Sequence, residues 1–194
     1  MENLIPRFIA EKFSEKVYDG QFSAATIFMD ISGFTAMTQE LMKEGKEGAE
    51  ILVNIINTVF EPVIAVVYES GGFISTFAGD AFTAIFSDEA RTDRAVHCAM
   101  RINKLFHEIG EQKTRLGEFE FNVKLGISFG KVEWEIIGTE THKAYYFRGD
   151  AIDGCAYAEH HCQVNEIVLD EKAAAHCSPL ILSLIHISEP TRPY

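Results

Sequence analysis

The chain is short of positive charge. Against 29 Asp and Glu it carries 17 Lys and Arg, a net charge of −12 over 194 residues. Nucleic-acid-binding surfaces are usually basic, which argues against that class of partner. A nucleotide ligand is still allowed, because a metal ion can carry the positive charge locally. The 4 cysteines (Cys98, Cys155, Cys162 and Cys177) form no CxxC pair. They offer neither a zinc signature nor a disulfide framework, which points to a reducing, cytoplasmic setting. No apolar run reads as long enough to span a bilayer, and no signal peptide precedes Pro6. Internal repeats and low-complexity tracts are also missing. What is present, 47% apolar and 24% charged residues, suits one globular domain with a full core.

The two ends read differently from the middle. Residues 1–20 are expected to hold a short amphipathic helix, Leu4 to Val17, with Ile5, Phe8, Ile9 and Phe13 on one side and Gly20 breaking it. Residues 182–194, from Leu182-Ser183-Leu184-Ile185-His186 onward, look like the translation of a transposase sequencing adapter, and are set apart from the fold. On that reading residues 21–181 are one domain and the chain is the N-terminal piece of something longer.

Within that domain the pattern is organised around Phe28–Thr35. An apolar run, Ala24 to Met29, reads as a buried strand ending in a carboxylate, Asp30. The small turn Ser32-Gly33 leads into a helix from Phe34 to Met42. After an interruption around Lys43–Gly48 comes a longer helix, with Leu52, Ile56, Val59, Val63 and Val66 on one stripe. Pro62 should kink or divide it, and Gly71-Gly72 should close it.

Phe73–Phe77 and Phe82–Phe86 read as a hairpin around Ala78-Gly79-Asp80-Ala81, its four phenylalanines facing the core. Ser87-Asp88 offers an N-cap to a helix carrying Ala95, Ala99, Ile102, Phe106 and Ile109. Residues 110–118 read as loop. Strands follow at Phe119–Phe129, Val132–Ile137 and Lys143–Phe147, then a helix Asp150–Cys162 and a last strand Glu166–Leu169.

The order βαββαβ predicts an α+β fold: a ferredoxin-like antiparallel sheet with its helices on one face. There the third strand lies between the first two, so the hairpin tip sits at the edge where strand one ends. Asp80 and Asp30, fifty residues apart, should therefore meet at one corner. Two carboxylates beside a helix N-terminus suit a pair of Mg²⁺ or Mn²⁺ ions holding a triphosphate. The amides of Gly33, Phe34 and Thr35 are placed to bind its phosphates, and Gly33 permits close approach. The plain alternative is that Asp30 caps a helix and Asp80 is a turn residue.

The segments FMDISGFTAMT (28–38) and GGFISTFAGDAFTAIF (71–86) resemble the class III nucleotidyl cyclases. The likeness is to the first catalytic domain of the soluble, bicarbonate-regulated adenylyl cyclases and their bacterial relatives. It continues through Val123–Ile127 and Gly149–Asp153. The resemblance implies that Asp30, Asp80 and the Ile31 carbonyl bind two metal ions. Ser32, Gly33, Phe34, Thr35 and Gly79 would form the nucleotide site, and Lys124 would reach the triphosphate. The implied reaction converts ATP to cyclic AMP and pyrophosphate, with GTP the less favoured substrate; the base pocket would come from a second domain. One metal would lower the pKa of the 3′-OH, and the other would neutralise charge on the β- and γ-phosphates.

Several family residues are missing. The lysine that reads the base falls at Thr76. The Asn and Arg of the family's GxxVNxAAR segment fall at Asp153 and Tyr157. Tyr157 cannot supply a fixed positive charge. The resemblance therefore implies a domain that needs a second cyclase domain, in cis or in trans. The lysine and arginine that bind bicarbonate in the relatives fall at Thr76 and Ala156, so that regulation is not implied. A regulatory nucleotide-binding domain without turnover and a dimerisation module are the alternatives.

Other residues read as structural. His160-His161-Cys162 point about 100° apart on a helix and do not converge. Trp134 reads as packing, Glu133 and Glu135 as a half-exposed strand, and Arg148 as surface.

Overall fold

The computed structural model describes residues 5–87 and 91–182. The expected N-cap at Asp88, the start of the first helix at Leu4 and residues 183–194 lie outside the described residues. The first elements are α1 (Arg7–Ser14), β1 (Asp19–Ser32) and α2 (Phe34–Leu41). A short 3₁₀ turn (Met42–Glu44) leads into α3 (Gly45–Glu69), β2 (Phe73–Ala78), β3 (Ala81–Phe86) and α4 (Arg91–Ile109). Then come β4 (Glu111–Thr114), β5 (Gly117–Glu120), β6 (Asn122–Gly138), β7 (Lys143–Arg148) and α5 (Asp150–His160). The last are β8 (Ile167–Leu169), α6 (Glu171–His176) and α7 (Pro179–Leu182).

The main sheet runs β2-β3-β1-β6-β7, with β8 parallel to β6 and the other pairs antiparallel. β3 lies between β1 and β2, as the split order requires. On β1, Ala25, Ile27, Met29 and Ile31 face the core that α3 and α4 cover. The alternate residues face the other side, where the Thr26 hydroxyl donates to the Ala151 carbonyl of α5 at 2.7 Å. Both faces are thus buried, which is why Ala24–Met29 reads as a continuous apolar run.

Helices cover both faces of the sheet, not one. α3 and α4 belong to the βαββαβ unit, whereas α5 follows β7 and crosses the opposite face. β1 begins earlier than expected, and Gly20 is inside it. A Cβ there would sit 2.9 Å from the Trp134 indole nitrogen, so Gly20 seats that ring rather than ending a helix. In α1, Ile9 is buried and Phe13 exposed, and Ile5, ahead of the helix, is exposed too. Phe8 completes the contact, its ring 5.5 Å from Phe73 and 5.3 Å from Trp134.

Other differences have local causes. Pro62 does not divide α3. The buried stripe of α3 is Ile51, Ile55, Val59, Val63 and Val67. Leu52, Ile56 and Val66 lie on its flank, because a helix apolar round much of its girth leaves the phase to packing. By length and composition the run Phe34–Glu69 is apolar enough to cross a membrane, contrary to the expectation. Here its buried stripe packs into the domain core. A bulge between Ile74 and Thr76 changes the side to which β2 points. Phe82 and Phe86 are buried, but Phe77 is 52% exposed. Residues 111–120 form a separate β4–β5 hairpin, exposed enough to look like loop. β6 is one strand of 17 residues, and Gly130 lies within it.

Candidate active site

β1 carries Asp30 to the end of the sheet, half-buried on the α5 face. Its register partner on β6 is Lys124. The β2–β3 hairpin closes with Ala78 opposite Ala81, so Gly79 and Asp80 form its tip, Gly79 at φ 68°. The Thr35 hydroxyl reaches the Asp80 carboxylate at 3.5 Å. β1 pairs with β3 up to Met29 opposite Phe82, so the hairpin tip that carries Asp80 lies beside Asp30, the next residue of β1. The two carboxylates therefore meet at one corner with the start of α2.

The turn between β1 and α2 depends on Gly33. Its φ is 94°, and a Cβ there would lie 2.4 Å from the Glu120 carbonyl. Any side chain meets both backbone strain and a clash. No side chain caps α2, so its first N–H groups are left for another acceptor. Phe34 anchors the helix start against Phe60 and Phe121, with ring centroids 5.9 and 6.0 Å away. Ser32 donates to the Asn122 carbonyl at 3.3 Å. The Ile31 side chain is locked in the core, so only its backbone can take part in a site.

Burial, and then the negative charge of Asp80, push the Asp30 carboxyl above its ordinary range; Lys124 and the Ile31 N–H oppose this. The folded state therefore binds the Asp30 proton more tightly than the unfolded chain. Its contribution to stability falls as pH rises from the ordinary carboxylate range through the raised value. Asp30→Asn should raise the melting temperature by about 2–4 °C at most, the effect of ~1 kcal/mol in a domain this size. Calorimetry at neutral pH without divalent ions checks it, and a clear fall would show the charge to be fully compensated.

A charge that burial and Asp80 both disfavour, on a hard oxygen donor, fits a divalent cation such as Mg²⁺ or Mn²⁺. Among the described residues no group of three or more His, Cys, Asp or Glu side chains gathers as a metal site. The protein's share would be the carboxylate pair and backbone oxygen, with the remaining ligands coming from phosphate or water.

The sequence reading missed Glu159. α5 buries Ala151, Cys155 and Ala158, and Glu159 follows Cys155 by one turn on that side. Burial and the charge of Asp30 push its carboxyl up, while Lys124 pulls it down. The signal was available: a carboxylate on the buried stripe of a helix otherwise lined by small residues. Thr76, Asp153, Ala156 and Tyr157 are all exposed, Tyr157 by 58%.

Of the residues read as structural, His160 and Cys162 border this corner: the charge of His160 acts on Glu159, and that of Glu159 on Cys162. The Cys162 thiol donates to the Leu125 carbonyl, whereas His160 and His161 are exposed with rings at 89°. Arg148 pairs with Glu133 at 2.9 Å, and Trp134 is buried.

A split antiparallel sheet with β7 and β8 added beyond the core, α2 starting at the end of its central strand, is the class III nucleotidyl cyclase fold. The chain belongs to the adenylate and guanylate cyclase catalytic domain family, whose model matches residues 17–180. It is 30% identical over 189 residues to adenylate cyclase type 10 of Mus musculus, covering 94% of this chain and 11% of that protein. To an adenylate cyclase of Anabaena cylindrica it is 28% identical over 131 residues, 66% of this chain and 25% of the other. The adenylyl cyclase CyaB from P. aeruginosa superposes with a TM-score of 0.66 at 21% identity, with 82% of each chain covered. The guanylyl cyclase Cya2 gives 0.70 at 23% identity, covering 84% of this chain and 81% of its own. These last two likenesses establish the fold. The chain spans about a tenth of the length of the type 10 relative it matches.

Proposed function

We propose that this chain is the metal-binding half of an adenylyl cyclase. One observation carries the reading: Asp30 and Asp80, far apart in sequence, converge at the uncapped start of α2. Asp30, Asp80 and the Ile31 carbonyl would hold two Mg²⁺ or Mn²⁺ ions. When bound, the ions supply charge neutralisation on the triphosphate and a lowered pKa for the ribose hydroxyl. The N–H groups of the Gly33–Thr35 turn, with Ser32 and Gly79 beside them, bind phosphate oxygens. Lys124 adds a mobile positive charge to the same site.

In the reaction the ribose 3′-oxygen bonds to the α-phosphorus and loses its proton. The bond from that phosphorus to the bridging oxygen breaks, and pyrophosphate leaves. Thr76, Asp153 and Tyr157 leave base recognition and transition-state charge to a second cyclase domain. The adenylate cyclase names of the curated relatives favour ATP over GTP.

The alternative is a dimerisation module that keeps the fold for its surface. It is favoured by an open apolar hollow of about 730 Å³ beside the hairpin tip, lined by Phe34, Ile56, Phe60, Ile64, Tyr68 and Phe77. Mn²⁺-dependent binding of a fluorescent ATP analogue separates the two. Binding that is lost in Asp30→Asn supports the cyclase half, and no metal-dependent binding by the wild type supports the module.

Bicarbonate at fixed pH should leave activity within about twofold, since neither Thr76 nor Ala156 offers a cation to hold the anion. A clear rise in cyclic AMP formation would overturn that expectation.

A further inference from the structure

We infer that Glu159 is a positioning residue that holds the Lys124 ammonium beside the phosphate turn while Asp30 is engaged by a divalent cation. The inference rests on the cyclase reading of the Asp30–Asp80 corner.

The geometry begins at Gly126. Helix α5 lies so close to β6 there that a Cβ on Gly126 would be 2.1 Å from the Cys155 carbonyl. It would be 2.2 Å from the Glu159 nitrogen and 2.8 Å from its Cα. Glu159 is thereby pinned above β6. Lys124 is two residues along that strand and points to the same side. Asp30, directly opposite Lys124 in the register, points to that side too. Three charged side chains from three elements therefore share one small area: Asp30 of β1, Lys124 of β6 and Glu159 of α5. Lys124 acts on both carboxylates, and the two carboxylates disfavour each other.

Lys124 forms no direct ion pair with Asp30 or Glu159, but its charge reaches both. A divalent cation on Asp30 takes up that carboxylate and repels the ammonium. Lys124 is a point charge on a flexible four-carbon stem, and repelled it would swing into solvent. Glu159 is the anion left on the same face, and its backbone cannot retreat. It keeps Lys124 within reach of the phosphates that the cation and the α2 turn bind. This accounts for a carboxylate kept on the buried side of α5, where burial disfavours its charge.

Two measurements on the whole chain test the inference. In protein labelled with ¹⁵N-lysine and supplied with Mg²⁺, the Lys124 ammonium should give a protected side-chain NMR signal. That signal should be lost in Glu159→Gln, and an unchanged signal would overturn the inference. The second measurement is Mn²⁺-dependent binding of a fluorescent ATP analogue. Glu159→Gln and Lys124→Ala should each weaken it about tenfold, and the double variant no further, because the residues act as one unit. Losses that multiply to about a hundredfold would overturn it as well. Glu159→Asp should recover part of the loss, as no purely structural role requires. Failure of the cyclase reading looks different: the NMR signal still depends on Glu159, but the wild type binds no nucleotide.

Discussion

Alanine at Asp30 or Asp80 lowers Mg²⁺-dependent cyclic AMP formation by at least about 10³ in the assembled enzyme while leaving the fold intact. Both halves of that expected result have physical grounds. Asp30 is half-buried, and neither burial nor Asp80 favours its charge, so the sheet does not need it. Asp80 sits at a hairpin tip closed by the Ala78–Ala81 pair and by Gly79, so the turn forms without it. The proposed site loses its hard oxygen donors, and no third carboxylate, histidine or cysteine among the described residues completes a substitute set. Cyclic AMP measured at saturating Mg²⁺-ATP, with circular dichroism as the check on folding, decides the matter. Activity retained within tenfold would remove the residue from the metal site.

The chain alone should turn over ATP at less than about one thousandth of the rate it reaches with a second cyclase domain carrying the missing Lys, Asn and Arg. A transition-state arginine is worth about 10³ or more in phosphoryl transfer. The matching position here is Tyr157, 58% exposed on the outward side of α5, and it has no fixed charge to offer. Asp153 and Ala156 lie on the same outward side, and Thr76 is exposed on β2. No residue at these positions can take over the missing roles, and the exposed face they form is where the proposed second domain would have to supply them. Initial rates with Mn²⁺-ATP, with and without the second domain, test this. A normal rate from the chain alone would end the half-site reading.

Much of the corner is legible in the sequence because it depends on chain order. A strand that ends in Asp30, a crossover helix and a hairpin with Asp80 at its turn have few arrangements open to them. The split sheet brings strand end and hairpin tip together in the commonest one. The turn chemistry of Gly33 and Gly79 is equally local, and both glycines adopt positive φ as their places in the pattern suggest.

What could not be read depends on contacts between distant segments. The phase of the α3 stripe was lost because two neighbouring faces of that helix are apolar, and only the sheet beneath chooses between Ile51 and Leu52. Phe77 was misplaced because a bulge leaves no mark in a run of strand-forming residues. Gly20 and Gly130 looked like breaks, yet one seats the Trp134 ring. The other lies where a Cβ would be 3.3 Å from the first turn of α5.

By itself, then, the order of the residues determined the split order of the core strands, the meeting of Asp30 with Asp80, and the glycine turn that starts α2. These follow from local pattern and from the few ways a chain can cross a sheet. The tertiary structure alone decided which face α5 covers, and so that Glu159 comes to rest beside Lys124 and Asp30. That meeting depends on the absent side chain of Gly126, which lets a helix from late in the chain lie directly on β6.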